Sequence, residues 1–144
     1  MIEGLIITKE DIIELEAGNV IHAIKDTSPG FYNFGEAYFS KINNERIKGW
    51  KRHSKMILNL LVPVGKVTFV VCKLKNGSIY DFEKFELSSE NNYRLTIPAG
   101  IWFAFKGMHS PYSLILNVAS IPHDSDEVEN CNLDQINFDW ENIK

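Results

Sequence analysis

The chain has 144 residues, 44% hydrophobic and 24% charged, the proportions of one globular domain able to bury a real core. Nineteen Asp and Glu outweigh fifteen Lys and Arg for a net charge of −4, which argues against a nucleic-acid binder with a domain-wide basic surface. The longest apolar runs, such as Ile57 to Val64, are strand length and broken by Asn59, so no membrane span is expected. No secretory signal is expected either, because the N-terminus lacks a basic region followed by a long apolar stretch.

Ile2 to Ala17 mixes apolar and acidic residues, and Thr8 with Asp11 three positions on predicts a cap for a short helix through Glu16. Gly18-Asn19 reads as a turn and Val20 to Ile24 as an alternating strand, with His22 an ordinary strand residue. Asp26 to Gly35 is loop-like around Ser28-Pro29-Gly30. From Gly35 the pattern is all-β. Glu36 to Ile42 alternates, with Ala37, Phe39 and Lys41 on one face and Glu36, Tyr38 and Ser40 on the other.

Eight of the fifteen Lys and Arg fall between Arg46 and Tyr80, a stretch without a single Asp or Glu. Positive charge gathered within an acidic chain either steers an anion or forms a solvated basic edge that blocks strand pairing. Ile57 to Val62 and Val67 to Lys73 are buried-strand runs, and Asn76-Gly77 predicts a hairpin turn. Ile79 to Leu87, Tyr93 to Ile97, Ile101 to Phe105 and Ser113 to Val118 complete a series of short strands between Gly and Pro turns. Such spacing predicts one antiparallel sandwich or closed barrel.

Asn59 and Asn117 each interrupt an apolar strand; each marks a lined cavity or a hydrogen-bonded core position. Trp102 suits stacking on a base or sugar, or the core; Tyr38, Arg94 and Tyr112 are further pocket candidates. From Pro122 the tail is acidic. Asp124, Asp126, Glu127, Glu129 and Asp134 read as a solvated terminal segment, with Phe138 and Trp140 able to anchor it to the sandwich. Cys72 and Cys131 share no metal-type spacing, and Cys72 reads as a buried free thiol, which fits a reducing, cytoplasmic setting.

Several blocks resemble the dTDP-4-dehydrorhamnose 3,5-epimerase family: Gly35-Glu36-Ala37-Tyr38-Phe39, Ile47-Lys48-Gly49-Trp50-Lys51-Arg52-His53 and Leu58 to Gly65. So do Arg94 to Trp102 with Ala104-Phe105, and Leu114 to Asn117 leading to Ile121-Pro122-His123-Asp124. The resemblance runs from about Gly18 to Trp140. It implies a cupin-type jelly roll over residues 1–144, a homodimer, no cofactor, and a nucleotide-linked 4-keto-6-deoxy sugar as ligand.

The family's Arg-Gly-Leu-His run, whose His is the base, falls on Lys48-Gly49-Trp50-Lys51. Its second His falls on Phe103, and its acid, a Tyr on a later strand, falls near Leu116. Epimerisation beside a ketone needs one group to remove a proton and another to return it on the opposite face. Lys51 serves as base only if burial or neighbouring cations pull its pKa well below about 10.4. His53 lies two residues on, on the same face of an extended segment, and is the replacement base if Lys51 holds an anion. A strand histidine with no catalytic role is the plain alternative.

Lys48 and Arg46 are the diphosphate candidates, with Asn59, Trp102, Asn117 and Tyr38 toward the sugar or base. Many cupins hold a metal with several His and a Glu; here His53 stands alone, so no metal is expected. Two functions follow from the resemblance: an epimerase or isomerase for cell-surface polysaccharide synthesis, or a cupin that binds the nucleotide sugar without turning it over.

Overall fold

The computed structural model describes residues 1–143 apart from Asn76; the side chains of Lys75, Ile79 and Tyr80 lie outside that description. Among the described residues twelve strands run in chain order as β1 (Ile6–Lys9), β2 (Ile12–Ile13), β3 (Val20–Ile21), β4 (Glu36–Asn43), β5 (Ile47–His53) and β6 (Leu58–Val64). They continue as β7 (Lys66–Lys75), β8 (Ser78–Ser88), β9 (Tyr93–Ile97), β10 (Trp102–Gly107), β11 (Tyr112–Ala119) and β12 (Val128–Asn130). One sheet has the order β1-β9-β6-β11-β4 and the second β12-β5-β10-β7-β8, with β2 and β3 paired separately. Pairing is antiparallel throughout, and the two five-stranded sheets form an antiparallel jelly roll of the cupin type.

The core forms where the inner faces of the sheets meet. Leu58, Leu60 and Val62 of β6 and Leu95 and Ile97 of β9 meet Val67, Phe69 and Val71 of β7 and Leu87 of β8. The last four expose nothing to solvent. Each such side chain, removed from water, contributes roughly 1.5–3 kcal/mol before conformational entropy is charged against it. Phe69 and Phe105 pack as a tilted pair with centroids 5.4 Å apart.

Both sheets are also covered on their outer faces. Over the second sheet, Trp50, Val70, Cys72, Trp102 and Ala104 pack against Ile136, Phe138, Trp140 and Ile143 of the C-terminal segment. Over the first, the 26–35 loop crosses close to β6 and β9. Asn59 Nδ2 donates to the Gly30 carbonyl at 3.0 Å, and a Cβ at Gly30 would come within 2.4 Å of Thr96 Oγ1.

Four differences from the sequence reading have physical causes. The segment expected as a helix through Glu16 is strands β1 and β2, because Ile6 to Lys9 alternates in exposure and pairs with the free edge of β9. The strand expected over Val20 to Ile24 is confined to Val20 and Ile21. The basic run at Ile47 to His53 is extended but is not the sheet edge offered as one alternative: it is a strand paired on both sides, by β10 and by β12. Glu127 is not solvated with the other tail acids: it is 3% exposed, because β12 draws it under β5. Asn76 of the expected Asn76-Gly77 turn lies outside the described residues; β7 and β8 pair there with Lys75 opposite Ser78.

Candidate active site

Between the two sheets a chamber of about 350 Å³ opens along the gap from β4 to β5. The first sheet supplies Tyr38, Ser40, Leu58, Leu60, Ile115 and Asn117. The facing sheet supplies Lys48, Lys51, His53, Phe103, Phe105 and Asn130, with Gly49 in its floor. Gly49 has φ +144°, and a Cβ there would meet Ala104 Cβ at 2.3 Å, so β5 lies against β10 at its bulge only with glycine. A second hollow of about 340 Å³ shares Tyr38, Lys51 and His53 and adds Glu36 and His123.

His53 ends β5 and is 5% exposed. Its Nδ1 lies 2.5 Å from Oε2 of Glu127, and the other carboxylate oxygen accepts the backbone N–H of Met56 at 2.7 Å and of Lys55 at 3.1 Å. Burial pushes the Glu127 carboxyl up. The hydrogen bonds from His53 and Met56, the charge of His53 and the bond from Lys55 outweigh it, so the group stands below the ordinary carboxylate value. Glu127 is therefore an acceptor, and the proton between the two residues belongs to Nδ1. In the neutral ring Nε2 keeps its lone pair, and the chamber is the space it can serve. Phe103 stacks on the imidazole with centroids 6.1 Å apart and planes 14° from parallel, fixing the ring.

Opposite stands Tyr38 on β4, 41% exposed at the mouth, whose hydroxyl accepts a hydrogen bond from Asn117 Nδ2 at 3.0 Å. Lys48 and Lys51 are exposed cations at the rim, and Lys48 Nζ donates to the Lys41 carbonyl at 2.6 Å. No Asp or Glu lines the inner chamber among the described residues. Such a site can hold an anion at its rim, remove a carbon-bound proton at Nε2 and donate one from a phenol.

The structure brings together Lys48, Lys51, His53, Asn117 and Tyr38. It does not bring in Arg46, Asn59 or Trp102, nor the further candidates Arg94 and Tyr112. Arg46 lies in a separate open groove of about 640 Å³ with Lys41 and Lys48, beyond the chamber. Asn59 turns its side chain to the outer face of its sheet, where Oδ1 accepts Arg94 Nη1 at 2.5 Å and the Thr96 hydroxyl at 2.6 Å. Trp102 points out of the barrel into the second apolar cluster, with the Arg52 guanidinium 4.9 Å from its ring centroid. Period-two alternation separates Trp102 from Phe103. Leu116 likewise faces away between Ile115 and Asn117.

Glu127, the buried partner of His53, is the residue of this site that the sequence reading missed. Its only sequence signal is an acid just ahead of Val128, in a tail of seven acids that look alike. No group of three or more His, Cys, Asp or Glu able to hold a metal occurs among the described residues.

The architecture defines a cupin-type protein with a chamber between its two sheets. A dTDP sugar isomerase from Desulfovibrio desulfuricans G20 is 33% identical, with 99% of this chain and 94% of that one covered at a TM-score of 0.91. The chain belongs to the family of dTDP-4-dehydrorhamnose 3,5-epimerases and related dTDP-sugar isomerases.

More distant structures share the fold. One is a dTDP-6-deoxy-D-glucose-3,5-epimerase from Legionella pneumophila in complex with dTDP-4-keto-L-rhamnose, 19% identical over 96% of this chain and 79% of that one, TM-score 0.81. Another is a variant 3,4-ketoisomerase from Thermoanaerobacterium thermosaccharolyticum in complex with TDP-4-keto-6-deoxyglucose, 16% identical over 90% and 88%, TM-score 0.75. No protein-family profile and no curated protein sequence matches the chain.

Proposed function

We propose that the protein is an epimerase or isomerase of a nucleotide-linked 4-keto-6-deoxy sugar, with the His53–Glu127 pair as its base. The observation that carries this reading is the 2.5 Å contact between the buried Nδ1 of His53, a residue that lines the chamber, and a buried carboxylate, which leaves Nε2 as the nitrogen free to take a proton. A proton on the carbon beside the ketone passes to Nε2, and its electron pair enters the enolate. Glu127 stabilises the imidazolium that forms. Tyr38, from the opposite sheet, returns a proton to the other face of that carbon. The phenolate and imidazolium then exchange with water. Lys48 and Lys51 balance the diphosphate at the rim.

Solvent isotope exchange tests this. Incubation with TDP-4-keto-6-deoxyglucose in deuterated water is expected to place deuterium beside the ketone, followed by NMR, and His53→Ala to abolish it. Absence of exchange with the wild-type protein sinks the reading.

Phe103 and the rim position of Lys51 favour a second reading, a cupin that binds the nucleotide sugar without turnover. Saturable binding of dTDP with no exchange is its signature.

Assembly as a homodimer belongs to the same proposal. Phe39 on the free edge strand β4 is 65% exposed, Tyr32 and Phe34 in the loop that precedes β4 are also exposed, and so are Ile13, Leu15, Val20 and Ile21 around the β2–β3 pair. The two free cysteines suit the reducing cytoplasm proposed for it.

A further inference from the structure

Resting on that assignment of Tyr38, we infer that Asn117 is a positioning residue that decides which way the Tyr38 hydroxyl proton points. The argument is one of donors and acceptors. The backbone N–H of Asn59 can only donate, and it lies 3.2 Å from Asn117 Oδ1. The amide oxygen is committed there, so Nδ2 faces Tyr38 and donates to its hydroxyl oxygen at 3.0 Å. A phenol oxygen that accepts from Asn117 cannot also give its own proton to that amide. The hydroxyl hydrogen is directed elsewhere, and the chamber that Tyr38 and Asn117 both line is the adjoining space. Asn117 is 2% exposed, so water does not compete for its amide.

The amide is anchored in turn. Asn117 and Tyr38 are directly opposed in the β11–β4 ladder, which fixes the approach of the two side chains. On the other side Asn59 is held by the fully buried Arg94 and by Thr96, so a polar chain crosses four adjacent strands, β9-β6-β11-β4, and ends at the phenol. Asn117 sits at a strand position where an apolar residue would satisfy packing. A polar residue there, with both amide ends used and one of them on a chamber phenol, is placed for its effect on that phenol.

The test is Asn117→Asp, which keeps the shape and replaces the Nδ2 donor by an acceptor. The introduced carboxylate takes the Tyr38 proton for itself and turns it away from the chamber. Turnover of TDP-4-keto-6-deoxyglucose is expected to fall about 100-fold, the scale of one proton-transfer group, with KM and the Kd for dTDP within twofold of wild type. Deuterium is still expected to enter beside the ketone, because His53 is untouched.

As pH is lowered and the new carboxyl gains a proton, it becomes a donor again, and the ratio of variant to wild-type rate rises. Wild-type turnover by Asn117→Asp, or a pH-independent ratio, overturns the inference while leaving His53 and Tyr38 in place. Wild-type turnover by Tyr38→Phe overturns the assignment of Tyr38 and this inference with it. Should the buried carboxylate prevent folding, Asn117→Ala removes the donor without a charge; a full rate in that variant overturns the inference equally.

Discussion

Glu127 accepts the Nδ1 proton of His53 at 2.5 Å across 74 positions of sequence, and both side chains are almost wholly buried. One carboxylate oxygen serves the imidazole while the other closes the β5–β6 connection at Lys55 and Met56. A single residue thus orients the proposed base and ties the chain beneath it.

Glu127→Gln keeps an acceptor for those backbone N–H groups but removes the charge that supports an imidazolium. Exchange of the proton beside the ketone is expected to slow by about 100-fold or more, with dTDP affinity unchanged in titration calorimetry. Glu127→Ala strands the buried donors of His53 and Met56 and the half-buried N–H of Lys55, and is expected to cost about 3–5 kcal/mol in urea unfolding. A near-native midpoint for the alanine variant would contradict the burial seen here.

The depressed Glu127 carboxyl also sets an acid limit. A carboxyl held below its unfolded value contributes stability that is fully present above that value and is lost as pH falls through the lower, folded one. Thermal midpoints are expected to decline below about pH 4.3, the ordinary glutamate value, and this arm is expected to flatten in Glu127→Gln. An identical acid arm in wild type and variant would assign it to other groups.

Lys48 lines both the chamber and the neighbouring groove, Arg46 the groove alone. Lys48→Ala is expected to weaken dTDP binding about tenfold, and more steeply at low salt, whereas Arg46→Ala, beyond the chamber, leaves it within twofold. Equal losses would extend the ligand into the groove that Arg46 lines.

Asn59 is a fold residue by its placement. Asn59→Ala leaves the buried Arg94 guanidinium and the Thr96 hydroxyl without their shared acceptor and is expected to destabilise by about 2–4 kcal/mol. Chemical denaturation measures this, with dTDP binding retained below the transition.

Cys72 exposes nothing, and burial, reinforced by Cys131, pushes its thiol up to about 12. It is expected to resist iodoacetamide at pH 8 until the protein is unfolded, because only the thiolate reacts. Rapid labelling of native Cys72, followed by peptide mapping, would contradict the packing of the second cluster.

The sequence by itself determined the architecture. Alternation in β4, β8 and β11 and the Gly and Pro turns between strands fix an antiparallel all-β fold, since period two is a local property of the chain. It also carried the family resemblance and placed Lys48, Lys51, His53, Asn117 and Tyr38 among the candidates. Only the tertiary structure decided which face each residue serves. Trp102 and Phe103 are neighbours in sequence and face opposite ways, and Asn59 and Asn117 look alike in sequence but end on different sides of one sheet.

Glu127 shows the limit most clearly. Nothing local distinguishes it from the solvated acids around it, because its environment is made by β12 pairing with β5, which brings it to His53, 74 positions earlier. Periodicity is written in adjacent residues, whereas a buried ion pair depends on which distant strands meet.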